Sequence, residues 1–252
     1  MRFMVGFMTI TLNNLTVGYD RHPAVHHISG VFPSASLTAI VGPNGGGKST
    51  LLKAMVHFLR PLSGSIDYDG TLPQEIAYLP QASQVDQNFP LSVIDVVQLG
   101  AWPRTGAFRG LTKAQRHEAY HILERVGLAD YAKRPVSVLS IGQWQRVLFA
   151  RLSLQNAHIL LLDEPFAAID NRTTHDLMCW IKEWQNEGRT VIAVMHDLTF
   201  VRDHFPSTLL LAREVIGWGS TADILCEANL AKAQNLSGQW VEHAPACRRD
   251  ER

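Results

Sequence analysis

The sequence has few cysteines, no excess of either charge and no long hydrophobic run. Cysteine occurs only at Cys179, Cys226 and Cys247, and the odd number and wide spacing favour reduced thiols over a disulfide framework. Lys plus Arg and Asp plus Glu each number 23, so no basic surface is indicated and nucleic acid is not an expected partner. No stretch approaches the roughly 18 apolar residues that a spanning helix needs, so we expect no membrane span in this sequence.

The N-terminal stretch MRFMVGFMTI also lacks the features of a secretory signal. A single arginine precedes an apolar run that is too short, and no small-residue cleavage site follows it. Met4 and Met8 are alternative start positions. Together with the cysteine pattern, this favours a protein that works in a cytosol.

Short apolar stretches alternate with helical ones, which predicts an α/β protein with a largely parallel sheet. Strands are expected within 37–41, 76–81, 158–165 and 189–197, and shorter ones after Pro206. A helix is expected from Ser49 until Arg60 and Pro61 stop it. In such sheets ligands gather at the carboxyl ends of the strands, where polar residues follow several of these stretches.

Strand signals give way to helical ones in the middle of the chain. We therefore expect an inserted helical subdomain over 82–154, flanked by an ATP-binding core over 9–81 and 155–220. Residues 221–252 are expected to form a C-terminal helix and a polar, disordered tail.

The stretch GPNGGGKST matches the phosphate-binding pattern G-x-x-x-x-G-K-[ST] between a predicted strand and a predicted helix. Glycines let backbone N–H groups surround phosphates, the lysine reaches the β- and γ-oxygens, and the serine ligates Mg²⁺. An ordinary glycine-rich turn is the alternative, which this position in the fold disfavours. The predicted ATP or GTP contacts are Gly42, Pro43, Asn44, Gly45, Gly46, Gly47, Lys48, Ser49 and Thr50.

The stretch ILLLDEP predicts a buried strand that ends in two carboxylates. Asp163 is expected to face Mg²⁺, and Glu164 to orient or deprotonate the attacking water. A nucleotide-binding switch would not need such a base, so the pair predicts hydrolysis. The alternative is an ordinary strand that ends in an acidic turn.

These motifs resemble those of the ABC-type ATPases over nearly the whole chain. The resemblance implies a P-loop NTPase core with a mostly parallel sheet, an antiparallel β subdomain near the N-terminus and an inserted α-helical subdomain. It implies that Gln81 contacts Mg²⁺ and the attacking water, and that His196 is the switch histidine, which contacts the γ-phosphate. It also implies that Asp170 is the D-loop aspartate and that Tyr19 stacks on adenine. Taken singly, each could be a strand cap, a strand aromatic or a buried polar residue.

The segment LSIGQ is similar to the family's signature segment, which completes the ATP site of a second subunit. The resemblance thus implies a dimer, a homodimer by preference, with ATP contacts from Ser140, Ile141, Gly142 and Gln143. Ile141 departs from the family's glycine. Ser140 and Gln143 form a capping-box pattern that predicts a helix beginning at Ile141, so the backbone N–H groups stay available. We expect hydrolysis to be retained but slowed by the bulk of this side chain.

The resemblance also implies partners, because importers of this family pair a single cassette with a separate membrane protein. The expected partners are a membrane permease, a second ATPase subunit and, indirectly, an extracytoplasmic metal-binding protein. The expected location is the cytoplasmic face of the inner membrane. Four segments are similar to those of zinc and manganese uptake ATPases, with zinc favoured: QASQVDQNFPLSVIDVVQLG, GYDRHPAVHH, GQWQRVLFARL and LLDEPFAAID. A siderophore or cobalamin importer and a soluble non-transport ABC ATPase are the alternatives.

The stretch HEAYH matches the zinc-site pattern H-E-x-x-H in a predicted helix. His117, Glu118 and His121 equally suit a solvated helix face, which is the favoured interpretation. Surface positions are also favoured over a metal-sensing role for the remaining candidates, which are His22, His26, His27, His243 and Cys247.

Overall fold

The computed structural model describes residues 9–20, 22–70, 73–106 and 109–238. Its strands are β1 Ile10–Tyr19, β2 His22–Phe32, β3 Leu37–Val41, β4 Ser63–Asp67, β5 Ile76–Leu79, β6 Ile159–Asp163, β7 Thr190–Val194, β8 Ser207–Ala212 and β9 Glu214–Ser220. Its α-helices are α1 Lys48–Met55, α2 Val93–Gln98, α3 Trp102–Thr105, α4 Lys113–Arg125, α5 Ile141–Gln155, α6 Asn171–Asn186, α7 Leu198–His204, α8 Thr221–Ile224 and α9 Glu227–Gly238. His243, Cys247 and the predicted tail lie outside the described residues.

The main sheet has the strand order β5-β6-β7-β3-β8-β9. Its neighbours pair in parallel except β9, which is antiparallel to β8. A second sheet, β2-β1-β4, is antiparallel and includes the N-terminal hairpin. The predicted fold class, a mostly parallel sheet with an antiparallel β subdomain near the N-terminus and inserted helices, is confirmed.

The parallel strands are buried on both faces, as their continuous apolar sequences require. In β6, Leu160 and Leu162 pack into the core that contains the helices α2, α4, α5 and α6. Ile159 and Leu161 pack on the other face, in the core shared with β1, β2 and α1. The alternation follows from the two-residue period of a strand, so this sheet separates two apolar layers.

The helix after the glycine-rich loop ends earlier than the sequence predicted. We expected Arg60 and Pro61 to stop it, but α1 ends at Met55. His57 adopts a left-handed φ of 60°, and its N–H donates to Ala54 O while the N–H of Phe58 donates to Lys53 O. These are the two hydrogen bonds of a Schellman C-cap, so local capping ends this helix before the proline is reached.

Helices α2 to α5 lie in the chain between β5 and β6, in the region predicted to be an insertion. Residues Val93–Gln98 and Lys113–Arg125 are helical, as the periodicity indicated. Among the described residues, no helix is both long and apolar enough to cross a bilayer.

Candidate functional site

Four polar segments meet at one edge of the main sheet because their strands are adjacent and parallel. The glycine-rich loop follows β3, Gln81 follows β5, Asp163 ends β6 with Glu164 next, and His196 follows β7. The carboxyl ends of parallel strands lie at the same edge, which is where ligands of open α/β sheets bind. The fold therefore brings together four sets of residues predicted separately from the sequence.

The loop between β3 and α1 needs glycine for two separate reasons. Gly45 and Gly47 have φ values of 74° and 89°, a region that side chains with a Cβ rarely adopt. A Cβ on Gly47 would also lie 2.2 Å from Val25 Cγ1. The loop is thus held tightly against β2, and its backbone N–H groups lead into the start of α1, as an anion cradle requires.

Lys48 is the first residue of α1 and is only 6% exposed. Its Nζ donates to Gly42 O at 2.9 Å and to Pro43 O at 3.0 Å. Burial lowers the pKa of this ammonium, and the carboxylates of Glu164 and Asp163 oppose that shift. The structure therefore places the buried Lys48 ammonium inside the loop.

Asp163 and Ser49 form an oxygen-rich pair beneath the loop. Ser49 Oγ donates to Asp163 Oδ1 at 2.9 Å, and the hydroxyl of Tyr78 donates to Asp163 Oδ2 at 3.3 Å. Burial raises the pKa of Asp163, whereas the hydrogen bond from Ser49 lowers it. Hydroxyl and carboxylate oxygens are the ligands that Mg²⁺ prefers, so this pair fits the predicted magnesium site.

Glu164 is fixed between two of the other predicted residues. Gln81 Nε2 donates to Glu164 Oε2 at 2.8 Å, and His196 Nε2 lies 2.5 Å from Glu164 Oε1. The backbone of Glu164 has a left-handed φ of 52°, which costs energy for a side chain with a Cβ and is typical of functional sites. Three strand ends thus converge on one carboxylate.

The LSIGQ segment begins helix α5 as its sequence predicted. Ser140 is the N-cap, its Oγ accepts from Gln143 N at 3.2 Å, and Gln143 Oε1 accepts from Ser140 N at 3.0 Å. The predicted capping box is confirmed. Ile141 is the first helical residue and is 54% exposed, so its side chain points outward while the N–H groups of the first turn remain outside the helical hydrogen bonds.

The predicted D-loop aspartate lies beside this segment. Asp170 is the N-cap of α6, where Thr173 N donates to Oδ1 at 2.9 Å and Thr173 Oγ1 donates to Oδ2 at 2.8 Å. These bonds lower the pKa of Asp170. A cavity of about 620 Å³ is lined by the LSIGQ helix start and this turn. Asp170 is therefore near the signature segment of its own chain and outside the Glu164 cluster.

Tyr19 is half exposed, at the end of β1. It pairs with His22, and the following part of β2 contacts Gly47 through Val25. The hairpin that carries Tyr19 thus borders the glycine-rich loop, and the stacking of this ring on adenine stays a prediction.

The HEAYH residues lie on the outer face of α4. His117, Glu118 and His121 are all exposed, and Glu118 pairs with Arg104 at 3.5 Å. Within the part of the chain that the structure describes, no group of three or more His, Cys, Asp or Glu side chains is arranged to hold a metal ion. The solvated-face interpretation is favoured over a zinc site.

Sequence reasoning assigned no individual role to three residues at the site. Tyr78 supports Asp163, Gln145 Nε2 donates to Pro165 O at 2.7 Å, and Arg146 donates to Thr173 Oγ1 at 3.2 Å and to Asp176 Oδ2 at 3.0 Å. A tyrosine in a strand and polar residues in an amphipathic helix are ordinary in themselves. Only their long-range partners reveal a role, and no spacing rule gives those.

Comparison with known proteins agrees with this geometry. The family described as "ABC transporter" matches residues 25–167. A probable metal transport system ATP-binding protein of Chlamydia pneumoniae is 40% identical over 85% of both chains. The manganese transport system ATP-binding protein MntB of Bacillus subtilis is 40% identical over 88% of this chain and 91% of its own.

Among solved structures, a chain of a metal-chelate type ABC transporter in an inward-facing conformation is similar. It superposes with a TM-score of 0.80 and 27% identity over 91% of this chain and 90% of that chain. The family match covers more than half of the sequence, and two relatives exceed 30% identity over most of it. The protein is therefore an ATP-binding and ATP-hydrolysing member of the ABC transporter family.

Proposed function

We propose that this protein is the ATPase subunit of an ABC importer that takes up a divalent metal ion through a separate membrane permease. The observation that carries the ATPase part is the convergence of Gln81 and His196 on the Glu164 carboxylate, next to the buried Lys48 and the Ser49–Asp163 pair. The metal part is supported by the relatives named for metal transport.

The residues of the loop and its surroundings would hold the nucleotide and its metal. Backbone N–H groups of Gly45 to Thr50 and the Lys48 ammonium would bind the β- and γ-phosphates, with the side chain of Tyr19 against the base. Ser49 and Asp163 would bind Mg²⁺, with Gln81 nearby. The bound ion would neutralise charge that develops on the phosphate oxygens.

Glu164 is the residue proposed to act on the attacking water. Its carboxylate can accept the proton of a water placed in line with the γ-phosphate. The hydrogen bond from Gln81 fixes one oxygen, and His196 holds the other; His196 would also contact the γ-phosphate. A base held from two sides loses little orientational freedom on reaction, which is how positioning lowers a barrier.

A second copy of the chain is proposed to complete each ATP site. The sequence contains a single copy of the phosphate-binding motif, in the glycine-rich loop. The signature segment LSIGQ lies away from it, at the 620 Å³ cavity that Asp170 also lines. In a head-to-tail pair, the start of α5 would direct the N–H groups of Ile141 and Gly142, which precede the capped N–H of Gln143, at the γ-phosphate bound by the partner. Ser140 and Gln143 would be the side chains nearest to that phosphate, and Asp170 would approach the partner's loop.

The permease is proposed to dock on a groove beside Gln81, at the end of β5. This groove of about 460 Å³ is lined by Gln81, Val85, Ile141 and Trp144, among others. Phe89 directly follows Asn88, which also lines the groove, and its side chain is 61% exposed. Exposed aromatic residues are frequent anchors of interfaces. Because Gln81 also bonds to Glu164, an occupant of the groove would be coupled directly to the base.

The transported ion never contacts this subunit in such an arrangement, so its identity must come from relatives. The sequence resemblance favours zinc, and the relative MntB of Bacillus subtilis supports manganese. An extracytoplasmic metal-binding protein would deliver the ion to the permease. The ATPase itself would work at the cytoplasmic face of the inner membrane.

Replacing the proposed base should separate binding from hydrolysis. In Glu164→Gln the amide cannot accept a proton from water, so we expect the ATPase rate to fall at least about 100-fold while ATP still binds. Steady-state phosphate release and binding of a fluorescent ATP analogue measure the two properties. Glu124→Gln, an exposed change on α4, is the matched control. Wild-type turnover in Glu164→Gln would refute the assignment of the base.

Removing the bulk at the signature segment should raise turnover. In Ile141→Gly the backbone N–H groups remain and the exposed side chain is lost. Relief of about 1 kcal/mol of crowding against the partner's nucleotide would raise the rate of ATP hydrolysis about fivefold. Val138→Gly removes a β-branched side chain of similar exposure, 55%, just before the segment, and should leave the rate unchanged. An equal rate in wild type and Ile141→Gly would show that this residue does not tune turnover.

Measuring metal uptake by cells tests which divalent ion the transporter imports. A strain without this protein should accumulate less divalent metal, and the sequence-based expectation is a larger loss of radioactive zinc than of manganese. The Glu164→Gln chain should fail to restore uptake, whereas Glu124→Gln should restore it. A larger loss of manganese would assign the transporter to that ion. Unchanged accumulation of both ions would contradict metal import.

A further inference from the structure

Gln145 is a buried polar residue for which the proposed reaction has no assigned use. It lies in α5, two residues after the LSIGQ segment, and is only 1% exposed. Its Nε2 donates to the backbone oxygen of Pro165 at 2.7 Å, and its Oε1 has no hydrogen-bond partner among the described residues. Burying an amide with half of its capacity unused costs free energy, so an apolar residue would suit a purely structural helix face better.

The acceptor of this hydrogen bond, Pro165 O, lies next to the residue proposed to act as the base. Pro165 directly follows Glu164, whose φ is left-handed. The peptide N–H of Glu164 donates to Val194 O at 3.2 Å, and its own carbonyl accepts from Ala167 N at 3.2 Å. The segment has left the strand ladder at this point, so a side chain that holds Pro165 O restricts the orientation of the Glu164 backbone.

Two other residues of α5 also donate side-chain hydrogen bonds to backbone oxygens, but these oxygens belong to a regular strand. Arg151 donates to Tyr78 O at 3.0 Å, and Gln155 Nε2 donates to Ile76 O at 3.1 Å. Both acceptors lie within β5, a strand that its ladder with β6 already holds in place. These bonds fasten the helix to the sheet, whereas the bond from Gln145 reaches the irregular segment that carries the base.

We propose that Gln145 is a positioning residue that holds the Glu164 carboxylate in place from the helix that carries the signature segment. The inference rests on the proposed function, because it assumes that Glu164 acts on the attacking water. Since α5 begins at the signature segment, movement of this helix against a partner's nucleotide is transmitted through Gln145 to the base of its own chain. The signature segment and the Glu164 site of the same chain are then coupled through helix α5.

The test compares two glutamines of the same helix. Gln145→Met keeps length and volume but removes the donor, and Gln155→Met makes the same change at the hydrogen bond to β5. We expect kcat for ATP to fall about tenfold in Gln145→Met with KM within twofold of wild type. A tenfold loss corresponds to about 1.4 kcal/mol, the size of one hydrogen bond. Gln155→Met should keep kcat within twofold, and thermal denaturation of both variants reports any loss of stability.

The outcomes separate positioning from stability. An unchanged kcat in folded Gln145→Met overturns the inference, and so does an equal loss of kcat in both variants, since that would be a general effect of loosening α5. Gln145→Asn keeps an amide but cannot reach Pro165, so it should show the same fall in kcat. This variant replaces Gln145→Met in the test if the Met variant does not fold. Normal hydrolysis by Glu164→Gln would instead refute the proposed function, independently of Gln145.

Discussion

The site depends on a single carboxylate at the end of β6, which residues at the ends of the two neighbouring strands hold in place. Glu164 leaves β6 in a left-handed conformation, and its two oxygens face Gln81 from the end of β5 and His196 from the end of β7. The order β5-β6-β7 puts these ends side by side. A different strand order would separate the same residues by the width of one or more strands, about 5 Å each, and no hydrogen bonds among them would form.

The same order explains why the loop and the acidic pair cooperate. Strand β3 lies next to β7, so the glycine-rich loop rises beside the Glu164 cluster, and Ser49 at the start of α1 reaches Asp163. Lys48 is buried at the start of α1, where burial lowers the pKa of its ammonium and the carboxylates of Glu164 and Asp163 raise it. Such a buried cation is costly without an anion, which agrees with a site built for phosphates.

Much of this arrangement could be predicted from the sequence because it depends on short-range signals. The glycine-rich loop, the strand that ends in Asp163 and the capping box of Ser140 with Gln143 are each encoded within a few residues, and the structure has them where expected. The end of α1 was predicted wrongly, since a left-handed His57 is not signalled by residue type. Tyr78, Gln145 and Arg146 could not be predicted, because their roles come from partners 20 to 85 residues away.

The central claim is that one chain supplies halves of two different ATP sites. Mixing two inactive variants tests it most directly: Lys48→Ala disables the loop, and Gly142→Asp puts a negative charge on the signature segment. If the sites form between chains, a mixed dimer contains one intact site, so mixing should restore ATP hydrolysis that neither variant has alone. If every site forms within one chain, the mixture stays inactive, and the account of this protein as an ATPase dimer would be contradicted.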